Sequence, residues 1–368
     1  MPAMSPRFVH LRLHSEYSIS DGIVRLDQAC VRAAADSMPA LAITDLANVF
    51  GMVKFYEAAR SNGLKPIIGC DVWIGNDNDR DKPSRLLLLV QSREGYLHLC
   101  DWLSRAYLSN QHRGRPEIKK EWLEAGSGGL IALSGAQHGA VGAALLADNV
   151  EAARRHAKAW AELFPGRFYL EIQRAGHPHA EQLLQQSIQL ASALRLPVVA
   201  THPIQFLGRE EFLAHEARVC ISEGYVLSDR RRPRHFTEQQ YFKTQEEMAQ
   251  LFADLPQALE NAVEIARRCN FAFELGKARL PLFPTPNNVP LDRYLHERAE
   301  AGLEARMRQL YPDAATREKQ LPRYRERLAF EIQTIVQMGF PGYFLIVADF
   351  INWAKSNGVP VGPGRGSG

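Results

Sequence analysis

With 368 residues, 46% of them hydrophobic and 23% charged, the chain can bury at least one sizeable core and has the composition of a folded protein rather than a disordered one. Its 44 basic residues stand against 41 acidic ones, and a formal net charge of +3 excludes a globally polycationic nucleic-acid binder, so any such contact must be a local patch. Cys30, Cys70, Cys100, Cys220 and Cys269 form no CxxC pair, and the chain has neither a long apolar run nor a signal peptide, so the expectation is a cytoplasmic protein with free thiols, no structural zinc and no membrane partner.

In chain order, short apolar runs alternate with amphipathic stretches. The pattern predicts strands at 8–11, 40–44, 66–74, 86–91, 130–133, 168–172 and 197–201, with helices at 26–35, 50–61, 96–109, 150–163 and 180–194. Asn48 fits as a cap of the second helix and Gly63 as its stop. Alternation of this kind predicts an α/β fold of parallel strands buried under helices, either a distorted seven-unit barrel or an open doubly wound sheet. No glycine-rich dinucleotide fingerprint follows the first strand, which disfavours the sheet. In a barrel the site lies at the carboxyl ends of the strands, and these supply His10, Arg12, His14, Asp45, Asp71, Glu171 and His202. Converging histidines and carboxylates can hold divalent metals, although one histidine at a strand end is more often only hydrogen-bonded. The polar stretch 75–82 reads as a solvated excursion between strands.

Helices dominate after Thr201. Thr244 and Glu247 have the spacing of a capping box opening a helix at 246–255, and a second amphipathic helix is predicted at 256–269. The basic cluster from Arg230 to Arg234, followed by His235, could touch a nucleic-acid backbone or simply be solvated. Three prolines within 280–286 mark a linker, so the expected domains are 1–280 and 281–368. Helices are predicted beyond it at 291–310, 324–337 and 342–357, before the closing run GPGRGSG at 362–368. Its glycines leave backbone N–H groups uncovered, and Arg365 and Ser367 add a charge and a hydroxyl, so the run could cradle phosphate oxygens; a flexible linker has the same composition.

Longer motifs carry more information than this spacing. The segment Phe8 to Ser18 with Asp21 and Gly22, Leu41 to Asp45, Gly51 with Phe55 and Tyr56, Lys65 to Gly69, Arg93 to Tyr96 and Leu133 to Gly135 resemble the polymerase and histidinol phosphatase (PHP) domain. The version they resemble stands at the front of the family C DNA polymerases, the bacterial replicative DNA polymerase III alpha subunits. Gly339 to Val347 and Gly362 to Ser367 are similar to the start of that family's palm domain. The resemblance implies a PHP-type distorted (βα)7 barrel, then a mostly helical connection and the start of a nucleotidyltransferase-type palm. It implies template-directed DNA synthesis from dNTPs with Mg2+ in the full-length protein, and a triphosphate contact at Gly364, Arg365, Gly366 and Ser367. The catalytic carboxylates are expected beyond Gly368, so this piece is expected to be inactive as a polymerase and to act as a scaffold and docking site for the proofreading exonuclease subunit. Further implied partners are primer–template DNA, the sliding clamp and other holoenzyme subunits.

Departures from the family pattern limit the chemistry of the PHP part. Metal-binding members open with a His-x-His pair where this chain has Arg12 and His14, and follow the second strand with Asp-His where it has Asp45 and Leu46. Asp71 stands at the position of a glutamate, and Pro203 and Gln205 at that of a late Asp-x-His pair. A PHP metal is therefore expected to be absent or weakly held. Metal-dependent phosphoesterase or 3′–5′ exonuclease activity is the alternative reading.

Overall fold

The computed structural model describes residues 8–277, 280–362 and 364. Two compact units divide the chain, the first running to Phe273 and the second starting at Glu274.

In the first unit the strands are β1 (Ala40–Ile43), β2 (Lys65–Ile74), β3 (Ser84–Val90), β4 (Gln111–His112), β5 (Arg115–Ile118), β6 (Leu130–Leu133), β7 (Phe168–Ile172) and β8 (Val198–Ala200). Neighbours run β1–β2–β3–β6–β7–β8, and β4 and β5 form a side branch on the far half of β2. The amino-terminal segment closes the ring. Ala42 donates to the His10 carbonyl at 3.0 Å and Thr44 to that of Leu13, while His14 donates to Ile204 just past β8. Seven extended segments thus form a closed, distorted barrel, in which 8–14 joins through bridges rather than as a regular strand.

Contrary to what the alternation of strand and helix predicts, the strands are not all parallel. Strand β3 runs antiparallel to both β2 and β6, whereas β1–β2, β6–β7 and β7–β8 are parallel. The cause is the short 75–83 connection, which cannot hold the crossover that a parallel pair needs. Its apolar run concealed the direction, because Leu86, Leu88 and Val90 enter one buried cluster while Leu87 and Leu89 enter another. A strand buried on both faces reads alike in either orientation.

Helices α1 (Leu26–Ala35), α2 (Met52–Ser61), α3 (Arg93–Ser109), α4 (Lys120–Glu124), α5 (Ala140–Leu146), α6 (Val150–Leu163), α7 (Ala180–Leu194), α8 (Phe212–Glu223), α9 (Gln245–Leu251) and α10 (Pro256–Arg268) complete the unit. Of these α4, α5 and α8 have no counterpart among the predicted helices. Helix α9 opens on the expected capping box, with the Thr244 hydroxyl accepting from Glu247 N and the Glu247 carboxylate from Thr244 N. Asn48 does not cap α2; its side chain accepts from Phe50 two residues before the helix and Gly51 takes the cap position, while Gly63 ends the turn beyond it at φ +73°.

The second unit contains α11 (Leu291–Leu310), α12 (Ala314–Gln337) and α13 (Pro341–Ser356), with Met307, Ile332 and Leu345 as buried positions. Asp313 caps α12 by accepting from Thr316 N at 2.8 Å, which lets this helix begin ten residues before the predicted start. Among the described residues no single helix is long and apolar enough to cross a membrane.

Candidate functional site

The alternation of the first extended segment puts His10, Arg12 and His14 on one side of it. Arg12 is the centre. Its guanidinium, 5% exposed, donates from Nε and Nη2 to the two oxygens of Glu171 on β7 at 2.8 and 2.9 Å, and from Nη1 to Asp71 Oδ2 on β2 at 2.5 Å. Glu171 also accepts from Gly135 N at 3.1 Å, from Thr201 at 2.5 Å and from Gln173 at 3.0 Å. Gly135 makes this contact at φ +79°, where a Cβ would meet the Arg85 carbonyl oxygen at 2.5 Å.

A second layer surrounds Asp71. Arg85, at the start of β3, donates to Asp71 Oδ2 at 3.0 Å, and its guanidinium lies 4.5 Å from the Trp73 ring centre. His14 faces two carboxylates, with Nδ1 3.0 Å from Asp21 Oδ2 and Nε2 3.3 Å from Asp71 Oδ2. Burial opposes charge on this ring, but the nearby Asp21 and Asp71 carboxylates outweigh it and raise the pKa to about 9. Burial likewise opposes ionisation of Asp71, yet Arg12, Arg85 and His14 hold its carboxyl well below the usual range. Arg12, Arg85 and protonated His14 therefore balance Asp21, Asp71 and Glu171, three charges against three.

The other expected site residues lie apart from this cluster. Asp45 accepts from Ser15 N at 2.6 Å and from the hydroxyls of Ser15 and Ser18 at 2.9 and 2.8 Å; burial raises its pKa despite these bonds. Here it fixes the turn that carries Asp21. In that turn a Cβ on Gly22 would meet the Ser15 carbonyl oxygen at 2.1 Å, so the close approach requires glycine. His10 and His202 have ring centres 6.2 Å apart and donate from Nε2 to the carbonyls of Lys243 and Tyr241 at 2.7 and 2.9 Å. Burial lowers His10 to about 4 and His202 well below its ordinary value, so both are neutral struts between the barrel and the 239–243 segment. Of the expected triphosphate contacts, Arg365, Gly366 and Ser367 lie outside the described residues, and Gly364 is exposed.

Sequence reasoning missed Arg85, His138 and His177 as site residues. All three line a cleft of about 340 Å³ above Arg12, together with His14, Asp21, Trp73 and Gln205. Arg85 reaches the site because β3 is antiparallel, and its amino-terminal end sits where parallel neighbours place their carboxyl ends. The basic cluster also changes character, since Arg232 is buried against Glu216 of α8 at 2.5 Å and staples the loop to that helix.

The donor set does not fit a metal ion. Arg12 is a permanent cation at its centre, both Glu171 oxygens and Asp71 Oδ2 already accept guanidinium N–H groups, and Leu46 brings only an alkyl chain to the cleft. Among the described residues no group of three His, Cys, Asp or Glu side chains is arranged to hold one. What the arrangement can do is tie three remote strand segments together through charge-assisted hydrogen bonds.

The PHP domain family matches residues 10–175, and the family described as the bacterial DNA polymerase III alpha NTPase domain matches residues 293–368. DNA polymerase III subunit alpha of Neisseria meningitidis serogroup A is 54% identical over 368 residues, covering 99% of this chain and 32% of that protein. The subunits of Pseudomonas aeruginosa and Escherichia coli K12 are each 48% identical, over 366 and 363 residues, covering 99% of this chain and 31% of theirs. The chain thus spans about a third of the length of the curated relatives it matches.

Proposed function

This chain belongs to the bacterial DNA polymerase III alpha subunits, of which it carries the PHP domain and the opening part of the NTPase domain, and on that premise we propose that its PHP unit is a metal-independent scaffold of a replicative polymerase. The carrying observation is Arg12, which puts a guanidinium where Asp71 and Glu171 converge. Metal ions in such a site would join strand ends by neutralising carboxylates; here a covalently attached cation does so. Thermal unfolding with chelator and then with Mg2+, Mn2+ or Zn2+ tests this, and the expected midpoint is the same in all four conditions.

The parent protein would perform template-directed DNA synthesis from dNTPs with Mg2+ in the cytoplasm, in a holoenzyme with primer–template DNA, a sliding clamp and other subunits. Residues 1–280 are assigned to the PHP part and 281–368 to the linker and the start of the palm. Gly364, Arg365, Gly366 and Ser367 are assigned to the incoming triphosphate. In the second unit Asp313 is a helix cap and Glu331 pairs with Arg327 at 2.7 Å, so neither is offered as a catalytic carboxylate. Primer extension by this chain is expected to be nil while a longer parent extends; extension by this chain alone would refute the assignment.

A separate proofreading exonuclease subunit is the proposed partner of the PHP unit. Its co-elution with this chain on a sizing column supports that role, and separate elution at low salt counts against it.

A further inference from the structure

The scaffold role leaves the cleft above Arg12 unused. Its volume of about 340 Å³ suits one small molecule rather than a polymer segment. Two N–H donors on its lining have nothing to bond. The first is Arg85 Nε: Nη1 of the same guanidinium goes to Asp71 at 3.0 Å and Trp73 covers its face, but Nε has no acceptor. The second follows from His14. Its Nδ1 faces the two Asp21 oxygens at 3.1 and 3.0 Å, so that nitrogen carries a proton and donates. Gln205, 4% exposed and 3.3 Å from the same nitrogen, must then turn its amide oxygen to the ring. Its NH2 group takes the position that has no partner. Unpaired buried donors are costly, and a bound acceptor removes that cost.

Charge decides which kind of molecule brings the acceptor. Arg12, Arg85 and His14 are already matched by Asp21, Asp71 and Glu171, and Glu223 adds a carboxylate at the rim, 3.7 Å from His235. An anion finds no spare cation there. Desolvation within the cleft lowers the pKa of His177 and, together with the nearby Arg85, that of His138, so each ring is neutral and offers one donor and one acceptor. Leu46, Pro203, Val219 and Phe236 supply an apolar wall. Unpaired donors, neutral imidazoles and an apolar wall match a flat, neutral ring with carbonyl oxygens on its edge.

Resting on the reading that no metal occupies this unit, we propose that the cleft binds a single pyrimidine nucleoside, with Arg85 Nε and the Gln205 amide donating to the ring carbonyls.

The test is calorimetric titration of the EDTA-treated chain with uridine, thymidine, thymidine 5′-monophosphate, adenosine and inorganic phosphate. Saturable binding is expected for uridine and thymidine, with adenosine, whose ring carries no carbonyl, about tenfold weaker. The monophosphate should bind no more tightly than thymidine, and phosphate alone should not bind. Gln205→Leu is expected to weaken uridine binding by about tenfold. Ser222→Trp changes an exposed position on the rim and is expected to abolish binding by filling the mouth of the cleft. Unchanged urea midpoints show that a variant folds, and Ser222→Trp decides the matter if Gln205→Leu does not. Absence of saturable uridine and thymidine binding, tighter binding of the monophosphate or of phosphate, or unaltered binding by Ser222→Trp would overturn the nucleoside site and leave the metal-free reading intact. A divalent metal that binds the EDTA-treated chain and excludes uridine would overturn both.

Discussion

Arg12 and Glu171, 159 positions apart in sequence, meet as a bidentate pair at 2.8 and 2.9 Å in the barrel interior. Such a pair is costly to break because the surviving charge stays buried. Replacing Arg12 by Met is expected to cost about 3–5 kcal/mol in urea denaturation. Glu171→Gln in the same background should cost less than it does alone, since the two side chains share one interaction. Additive losses would mean that the pair is not coupled.

Stability should fall on both sides of neutral pH, for different histidines. His14 has a folded pKa of about 9, above its unfolded value of 6.5, so its contribution is complete below pH 6.5 and is lost as pH rises towards 9. For His10, lowered to about 4, the sign reverses: its contribution is complete above pH 6.5 and is lost as pH falls towards 4. Denaturant titrations from pH 4 to 10 should therefore give a maximum near pH 6.5. His14→Asn should flatten the alkaline limb and leave the acidic limb in place.

Gly22 holds a contact that no other residue permits, because a Cβ would lie 2.1 Å from the Ser15 carbonyl oxygen. Gly22→Ala is expected to cost at least about 1–3 kcal/mol, as for other forced overpacking, and to move Asp21 away from His14. A lowered His14 pKa, read from its ring proton shifts by NMR, checks the second half of that expectation.

Arg232→Ala removes the anchor that ties the basic loop to Glu216. Faster amide exchange and proteolysis within 225–235 are expected, with the barrel strands unaffected. Equal protection in the variant would show that the loop is held by other contacts.

The barrel and the central trio of Arg12, Asp71 and Glu171 were legible in the sequence because alternation fixes which side chains share a face. His10, Arg12 and His14 follow from that rule, and Asp71 and Glu171 from their strand positions. Arg85 was not legible, since the doubly buried run 86–90 hides strand direction. The signal existed: the 75–83 connection is shorter than a parallel crossover allows. His138 ends a single 3-10 turn and His177 sits in a loop, and the course of both depends on tertiary packing that no periodicity reports. Position alone grouped His10, His202 and Asp45 with Arg12, whereas hydrogen bonds to backbone and hydroxyl groups pull them into separate structural roles.

The central claim is that a guanidinium does the work of metal ions in this PHP unit. Its most direct test is the unfolding midpoint of the unaltered chain and of Arg12→Met, each with EDTA and with added Zn2+ or Mn2+. The account predicts a midpoint insensitive to chelator and metal in the unaltered chain, and a large drop in Arg12→Met. A fall in the unaltered midpoint with EDTA, restored by either metal, would contradict it.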